Sequence, residues 1–320
     1  MTWLVTGGAG YIGAHVARAF TEEGIHAVVL DDLSSGHRDF VSDETPFVEG
    51  TILDTDLVRR TLREHHVTGV VHLAGFKYAG VSVERPLHTF DQNVAGTVSI
   101  LRAMQDEGVD KMVFSSSASV YGTPDVDIVT EETRLAPESP YGQSKLIGEW
   151  LMSDQEVAAG LKHTSLRYFN VVGSADDSVY DTSPHNLFPL VFEALVEGRT
   201  PRINGDDYPT ADGTCVRDYI HVADLAHSHA VAAQRLESGE ALERAYNLGS
   251  GDGSSVREIM QAMAAVTGVG FEPEIGPRRP GDPARIVANG DLAGRDLDWK
   301  MRYTLEEMVA SAWSARKNAG

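Results

Sequence analysis

The feature that most constrains the fold is the glycine-rich segment TGGAGYIG at residues 6–13. A short apolar run, TWLVT, leads into it, and an amphipathic stretch, GAHVARAFTEEG, leads out of it. Glycines between a strand and a helix permit a tight turn and let a ligand phosphate approach the first backbone amides of the helix. The segment therefore predicts a strand, a turn and a helix, which together form the opening unit of a parallel α/β sheet.

The first half of the chain continues this alternation. Further strand-like runs are HAVVLDD, GVVHLAG, KMVFSSS and TSLRYFN, and amphipathic stretches such as LVRRTLREHHV lie among them. Continuous apolar runs flanked by helices indicate parallel strands that are buried on both faces. We therefore predict an α/β fold with a doubly wound, Rossmann-like parallel sheet and right-handed crossovers.

The spacing of the glycines is that of a dinucleotide-binding turn. Gly8, Gly10 and Gly13 fit the pattern GxGxxG, and Gly7, Gly10 and Gly13 fit a shorter variant of it. The second strand ends at the acidic residue Asp31, about 20 residues further on. A carboxylate at this place binds the adenine ribose and repels a 2′-phosphate. We therefore expect NAD rather than NADP as the cofactor.

After about residue 170 the pattern changes. Two long polar segments, GSADDSVYDTSPHN and INGDDYPTADGTC, come before a strand and helix that return in RDYIHVADLAHSHAVAAQRL. Irregular segments of this length in a compact protein are usually functional. We expect an NAD-binding domain over residues 1–170, to which a segment near residues 216–248 returns, and a smaller C-terminal α/β substrate-binding region over residues 171–320.

Composition and charge narrow the class of partner. The 320 residues include 27 Lys and Arg against 47 Asp and Glu, and the resulting formal charge of −20 disfavours nucleic acid and anionic membranes. No apolar run of about 18 residues and no secretion signal is present, so we expect neither a membrane span nor export. The single cysteine, Cys215, is expected to be a small buried apolar residue of a protein in the reducing cytoplasm. The histidines are scattered, and we expect no metal site.

The segment SPYGQSK at residues 139–145 predicts a helix start with chemistry in its first turns. Ser139 suits the N-cap and Pro140 suits the first helical position. Tyr141 and Lys145 are four residues apart and would share one helix face. An ammonium close to the phenol would lower the pKa of the tyrosine towards working pH, so that Tyr141 could act as a base.

A run of serines points to the same site. Ser115, Ser116 and Ser117 end the run KMVFSSS, which we expect to be the fourth strand of the parallel sheet. Ligands bind at the carboxyl ends of strands in such sheets. A serine hydroxyl at this position could bond both the tyrosine phenol and an oxygen of the substrate.

These motifs resemble the extended short-chain dehydrogenase/reductase superfamily, and within it the UDP-glucose 4-epimerase family. The superfamily is matched by TGGAGYIG with Ser117, Tyr141 and Lys145. The epimerases are matched, over almost the whole chain, by VHLAGFKYAG, NVAGT, FSSSASVYG, SPYGQSK, LRYFNVVG, DDYPTADGTCVRDYIHV and RRPGD. The resemblance implies an isomerase that interconverts UDP-galactose and UDP-glucose through NAD-dependent oxidation at C4 of the sugar, rotation of the 4-keto intermediate and re-reduction. It also implies a homodimer.

The resemblance carries individual roles over to this chain. It implies that Tyr141 is the acid/base, that Ser117 is its hydrogen-bond partner, and that Lys145 lowers its pKa and holds the nicotinamide ribose. The implied NAD-binding residues are Gly7, Gly10, Tyr11, Ile12, Gly13, Asp31, Asp32, Leu33, Ser34, Thr51, Ile52, Leu73, Ala74, Gly75, Lys77, Asn93, Ser117, Tyr141, Lys145 and Phe169. The implied UDP-sugar-binding residues are Lys77, Ser117, Tyr141, Asn170, Asn186, Leu187, Asn204, Arg217, Arg279, Asp282 and Ile286.

Arg217 and Arg279 would clamp the diphosphate within an otherwise acidic protein.

Three positions depart from the pattern of the family or bear on substrate choice. Thr51 stands where the family has an aspartate at the adenine amino group, and Asn204 stands where an aromatic side chain commonly stacks on uracil. Ile286 stands where residue size is thought to control which substituent at C2 of the sugar is accepted. Its intermediate volume predicts a preference for UDP-galactose and UDP-glucose over N-acetylated forms.

Other functions stay open at this point. A nucleotide-sugar 4,6-dehydratase of the same fold would need an acidic pair after the active-site hydroxyl, whereas Ala118 and Ser119 follow Ser117. Another enzyme of this superfamily that modifies UDP-sugars is a related alternative. A non-catalytic NAD-binding sensor would not need the Ser-Tyr-Lys set. A hydrolase is disfavoured because Ser117 lacks a glycine-flanked nucleophile turn.

Overall fold

A computed structural model describes residues 1–279 and 282–318. Pro280 and Gly281, at the centre of the RRPGD segment, lie outside the described residues. The strands are β1 Thr2–Thr6, β2 His26–Asp31, β3 Phe47–Glu49, β4 Gly69–His72, β5 Lys111–Ser115, β6 Lys162–Tyr168, β7 Asn170–Val172, β8 Arg202–Asn204, β9 Val216–Arg217, β10 Tyr219–His221, β11 Ala245–Leu248, β12 Ser254–Ser255, β13 Glu274–Gly276 and β14 Arg285–Ile286.

The helices complete the alternation. They are α1 Tyr11–Glu22, α2 Thr55–Glu64, α3 Ala79–Glu84, α4 Pro86–Phe90, α5 Gly96–Glu107, α6 Pro140–Ala159, α7 Leu187–Val196, α8 Val222–Ser238, α9 Val256–Thr267, α10 Asp291–Leu297 and α11 Leu305–Asn318. A π-helical turn, Asp91–Ala95, joins α4 to α5, and 3-10 turns occur at Arg38–Phe40 and Ala118–Val120.

Seven parallel strands form the central sheet, in the order β11-β6-β5-β4-β1-β2-β3. The predicted Rossmann-like sheet is therefore confirmed. The strand order reverses between β1 and β4, and the carboxyl ends at such a switch point are where α/β sheets bind ligands. The prediction missed the two edge strands, β3 and β11. The serine run consequently ends the fifth strand in chain order rather than the fourth. The short β3 was missed because none of its residues is fully buried.

Burial on both sides explains why the strands read as continuous apolar runs. Along β1, Trp3 and Val5 pack on one face with Phe20 of α1 and with residues of α8. Leu4 points to the other face and packs with Leu62 of α2 and with residues of α5. Alternate side chains of one strand thus enter two different cores. Helices cover both faces, as a doubly wound sheet requires.

The second half of the chain contributes to both parts of the fold. Helix α8 packs on α1, and β11 pairs with β6 at the edge of the central sheet. The remaining segments form small sheets, which pair β7 with β10, β8 with β13, and β9 with β12 and β14. A separate apolar core joins α7, α9 and α11, with Phe188, Phe192 and Val309 among its buried residues. Cys215 is buried, as expected.

Candidate active site

A cavity of about 960 Å³ lies at the carboxyl ends of the central strands. Its lining comes from the glycine turn, from the segments that follow β2 and β4, from the start of α6 and from the C-terminal region. A second cavity, of about 850 Å³, lies beside α1 and the loop before β3, and it contains none of the predicted site residues. The first cavity is therefore the candidate active site.

Most of the predicted residues line this first cavity. They are Gly7, Gly10, Tyr11, Ile12, Gly13, Asp31, Asp32, Ser34, Ile52, Leu73, Ala74, Gly75, Lys77, Tyr141, Lys145, Phe169, Asn170, Asn186, Leu187, Asn204, Arg217, Arg279 and Asp282. Five predicted residues are not part of the lining, namely Leu33, Thr51, Asn93, Ser117 and Ile286. These five residues contact other parts of the protein instead.

The glycine turn packs so closely that side chains at Gly7 and Gly13 would clash with the neighbouring backbone. A Cβ atom on Gly13 would lie 2.1 Å from the carbonyl oxygen of Gly7, and one on Gly7 would lie 2.7 Å from the amide nitrogen of Ala74. Gly7 also has a φ of +73°, which favours glycine. Gly10 is the N-cap of α1 and leaves the first amides of that helix without a side-chain cap. This geometry fits the pyrophosphate of a dinucleotide.

Asp31 connects the end of β2 to the glycine turn. Its carboxylate accepts hydrogen bonds from the backbone amides of Ala9 and Leu33, each at 2.9 Å. Burial raises the pKa of Asp31, and the two amide bonds act in the opposite direction. Leu33 has a φ of +57° and packs its side chain against the core, which explains why it does not face the cavity.

Thr51 and Asn93 use their polar groups within the protein. The Thr51 hydroxyl accepts from the backbone amide of Leu53 at 3.2 Å. Asn93 donates its amide to the carbonyl oxygen of Phe76 at 3.0 Å and to the hydroxyl of Ser144 at 2.8 Å, and it accepts from the amide of Phe76 at 2.6 Å. Asn93 thus ties the segment after β4 to α6, because its buried amide is already bonded on both sides.

The helix predicted from SPYGQSK begins as expected. Ser139 is the N-cap of α6, its hydroxyl accepts from the amide of Gly142 at 3.1 Å, and Pro140 is the first helical residue. Tyr141 and Lys145 therefore lie on one face of α6. The ammonium of Lys145 is 5.8 Å from the centre of the Tyr141 ring and donates to the carbonyl oxygen of Ser115 at 2.8 Å.

The electrostatics of this pair differ from the expectation. Burial raises the pKa of the Tyr141 phenol, and hydrogen bonding from Ser117 lowers it in part. Burial also lowers the pKa of Lys145 to about 8. The expected lowering of the phenol pKa by Lys145 is therefore wrong, because the cost of burying a phenolate sets the direction of the shift. Ser117 itself accepts a hydrogen bond from the amide of Ser119 at 3.1 Å.

The C-terminal region supplies charged and amide groups to the cavity. Arg217 donates to Asp282 Oδ1 at 2.7 Å and to the carbonyl oxygen of Val216 at 2.8 Å. Asn186 is the N-cap of α7 but donates its side-chain amide to Asp181 Oδ2 at 2.7 Å. The first amides of α7 therefore have no side-chain cap, and Leu187 and Phe188 line the cavity, so this helix start can bind an anion.

Ile286 lies behind the lining. It pairs in register with Arg217, and it packs with Phe169 against a buried cluster that includes Val129 and Leu146. Asn204, by contrast, lines the cavity directly. A change at Ile286 would therefore reach the cavity through the cluster against which it packs.

Sequence reasoning missed several residues of the lining. Tyr78 and His185 approach edge to face, with ring centres 4.9 Å apart, and Tyr168, Asp181 and Arg202 also line the cavity. Asp181 and His185 belong to the polar segment GSADDSVYDTSPHN, whose length already indicated a functional role. Nothing in their local pattern distinguishes them from their neighbours.

The part of the chain that the structure describes contains neither a candidate metal site nor a candidate membrane-spanning helix. No group of three or more His, Cys, Asp or Glu side chains there could hold a metal ion. No helix there is long and apolar enough to cross a membrane.

Comparison with known proteins gives a consistent result. Residues 3–249 match the NAD dependent epimerase/dehydratase family. The chain is 40% identical to the UDP-glucose 4-epimerase of Lacticaseibacillus casei, over 99% of this chain and 97% of that protein. A crystal structure of UDP-glucose 4-epimerase from Brucella ovis in complex with NAD superposes with a TM-score of 0.94 at 38% identity, covering 98% of this chain and 97% of that one.

A second solved structure adds a nucleotide sugar. The UDP-glucose-4-epimerase from Stenotrophomonas maltophila, with bound NAD and formylated UDP-arabinopyranose, is 38% identical and has a TM-score of 0.95. The match covers 100% of this chain and 98% of that chain. The similarity therefore extends over both the glycine turn and the C-terminal part of the cavity.

Proposed function

Because this chain belongs to the NAD dependent epimerase/dehydratase family and resembles its UDP-glucose 4-epimerases along almost its whole length, we propose that it interconverts UDP-galactose and UDP-glucose. One observation carries the proposal. A single cavity brings together the glycine turn, the Tyr141–Lys145 pair and Arg217. A dinucleotide, an acid/base and a binding site for a diphosphate are the three things that this reaction requires.

The chemistry that NAD supplies when bound is removal of a hydride from C4 of the sugar and its return to the opposite face of the 4-keto form. The glycine turn and Asp31 would hold this cofactor. Tyr141, as phenolate, accepts the proton of the 4-hydroxyl and later returns it to the same oxygen. Ser117 stabilises the phenolate by hydrogen bonding, which agrees with its lowering effect on the pKa of Tyr141.

The C-terminal residues hold the nucleotide while the sugar turns. Arg217 can give a forked pair of hydrogen bonds to the diphosphate, and the uncapped start of α7 offers further amides. Asp282 keeps the Arg217 guanidinium oriented through their ion pair. We assign the NAD-binding domain to residues 1–170 and the UDP-sugar-binding region to residues 171–320, with the segment near residues 216–248 returning to the first domain.

The groups at this site do not match the requirements of the rival functions. Elimination of water by a 4,6-dehydratase needs an acidic pair beside the active-site hydroxyl, and Ala118 and Ser119 hold that place. A sensor that only binds NAD needs neither the half-buried Tyr141 nor the buried Lys145 of this cavity.

We also propose a cytoplasmic homodimer. Four apolar side chains on α3, α4 and α6 are strongly exposed: Val83 at 63%, Leu87 at 79%, Trp150 at 57% and Val157 at 83%. Trp150 and Val157 are seven residues apart and share one face of α6. Such a face would be covered by a second copy of the chain. Trp150→Glu should then give monomers in sedimentation analysis, and an unchanged dimer would contradict this arrangement.

The test of the catalytic proposal uses the purified protein without added NAD. UDP-galactose, UDP-glucose and their N-acetyl forms are incubated separately, and the products are separated by chromatography. We expect UDP-galactose and UDP-glucose to interconvert. Release of a 4-keto-6-deoxy sugar would instead indicate the dehydratase, and bound NAD without any product would indicate the sensor.

A further inference from the structure

The helix face that carries the acid/base tyrosine continues deeper into the fold. Lys145 and Glu149 follow Tyr141 at intervals of four residues, so all three side chains leave α6 on the same side. The deeper two contact the serine run: Lys145 donates to the carbonyl oxygen of Ser115 at 2.8 Å, and the Ser116 hydroxyl donates to Glu149 Oε1 at 2.5 Å. Two hydrogen bonds, one helical turn apart, thus join α6 to the end of β5.

The Glu149 carboxylate is itself held rigidly. Arg167 of β6 donates to it twice, through Nε at 2.9 Å and through Nη2 at 2.6 Å. Glu149 is 8% exposed and Arg167 is 5% exposed. Forked pairing of a guanidinium with a carboxylate fixes both position and orientation. Glu149 therefore connects α6 to β6 and to the residue that follows β5.

The other end of the Arg167 guanidinium is also bonded. Its Nη1 donates to the Tyr121 hydroxyl at 2.9 Å, and that hydroxyl donates to Asn247 Oδ1 of β11 at 2.7 Å. Tyr121 and Asn247 are both buried. Bonds on both sides leave the guanidinium little freedom to move, and buried networks of this kind favour one geometry.

None of Ser116, Glu149 and Arg167 lines the cavity. We propose that Glu149, held by Arg167, is a positioning residue that locks α6 in register with the end of β5 through Ser116, and so keeps the Tyr141 phenol beside Ser117. This inference rests on the proposed role of Tyr141 as the acid/base.

The consequence concerns catalysis rather than binding. If the link between α6 and the strand end is lost, Ser117 shifts relative to the phenol, and small misplacements of catalytic groups cost large factors in rate. The contacts expected for the diphosphate lie on other elements, so the KM for the UDP-sugar should change little. Loss of the Ser117 hydrogen bond would also raise the pKa of Tyr141, because that bond lowers it. The increase of kcat with pH, which depends on the phenolate, would then occur at higher pH.

The decisive variants are Ser116→Ala and Glu149→Gln, in the full-length protein. Removing the charge of one partner of a buried ion pair can unfold a protein, whereas Ser116→Ala leaves the Arg167–Glu149 pair intact. Ser153→Ala and Glu156→Gln are matched controls. The Ser153 hydroxyl bonds only the backbone oxygen of Glu149, and Glu156 forms a surface pair with Arg244.

For Ser116→Ala we expect kcat to fall about tenfold, with KM within about twofold of wild type and the thermal midpoint lowered by only a few degrees, because one buried hydrogen bond is lost. The rising limb of the kcat–pH profile should move to higher pH in Ser116→Ala and in Glu149→Gln, and not in the controls. Wild-type kcat and an unmoved limb in Ser116→Ala would overturn the inference, and so would a loss confined to KM. An inactive wild type would instead overturn the proposed function.

Discussion

The ammonium of Lys145 lies 5.8 Å from the centre of the Tyr141 ring but donates its hydrogen bond to the backbone of Ser115. The lysine therefore anchors the helix to the strand end and is a cationic neighbour of the phenol at the same time. Burial dominates the pKa values of both side chains. This relationship and the surrounding contacts lead to five predictions.

The first prediction concerns Tyr141. Tyr141→Phe removes the hydroxyl that accepts the proton, so kcat should fall at least about 10²- to 10⁴-fold. The fold and NAD binding should persist, because the ring stays in place. Tyr180→Phe is the control, since Tyr180 packs its ring against Phe40, outside the cavity. Turnover in Tyr141→Phe close to the wild-type value would exclude the mechanism.

The second prediction follows from the burial of Lys145. Its pKa is about 8 in the folded protein and about 10.4 in an unfolded chain. Between these values the unfolded chain binds more protons, so the free energy of unfolding contains a contribution that rises with pH. Lys145→Met lacks this titration. Relative to that variant, the wild type should gain up to about 3 kcal/mol between about pH 7.5 and about pH 10.5.

The measurement is urea denaturation of both proteins at several pH values, after any bound nucleotide has been removed. Taking the difference between the two proteins removes the contribution of all groups that titrate equally in both. A stability difference that does not change with pH would show that Lys145 titrates normally in the folded protein.

The third prediction concerns cofactor choice. The purified protein should carry NAD or NADH, and Asp31→Asn should weaken NAD binding while relaxing discrimination against NADP, because the charge that repels a 2′-phosphate is lost. Asparagine can still accept one of the two backbone bonds that Asp31 accepts from Ala9 and Leu33. Equilibrium binding of both cofactors gives the ratio, and Asp39→Asn is the control. An unchanged ratio would place Asp31 outside the ribose site.

The fourth prediction concerns the diphosphate. Arg217→Ala should raise the KM for UDP-galactose at least about tenfold with a smaller change in kcat, because the guanidinium binds the substrate before and after the chemical step alike. Arg285→Ala is the matched control, since Arg285 bonds the exposed backbone of Asp252. Steady-state kinetics separates the two parameters. A loss confined to kcat would contradict a purely binding role.

The fifth prediction concerns Ile286 and the sugar. UDP-galactose and UDP-glucose should be preferred over N-acetylated forms, and Ile286→Ala should improve turnover of the N-acetylated forms with little effect on UDP-galactose. Ile286 and Phe169 pack against the same buried cluster, and Phe169 lines the cavity, so the added space would reach the cavity through that cluster. Val129→Ala loosens the same cluster and serves as the control. Equal changes in both variants would assign the effect to general loosening.

The sequence by itself determined the features that depend on local geometry. The strand–turn–helix unit at Gly7, Gly10 and Gly13 follows from the conformational freedom of glycine, and the shared face of Tyr141 and Lys145 follows from the helical repeat. Apolar runs likewise predicted the parallel strands, apart from the short β3 and the edge strand β11. The family resemblance added further residues of the cavity lining, including Arg217 and Asn204.

Only the tertiary structure decided what depends on distant parts of the chain. The side-chain amide of Asn93 is bonded to Phe76 and Ser144, which are distant from it in the sequence, and no local pattern predicts these contacts. The pKa of Tyr141 is raised rather than lowered, because burial depends on everything that packs around the phenol and not on the spacing to Lys145 alone. The pairing of Glu149 with Arg167 joins residues of two different elements. Local spacing fixes which way a side chain leaves its helix, whereas long-range packing decides what that side chain meets and whether water reaches it.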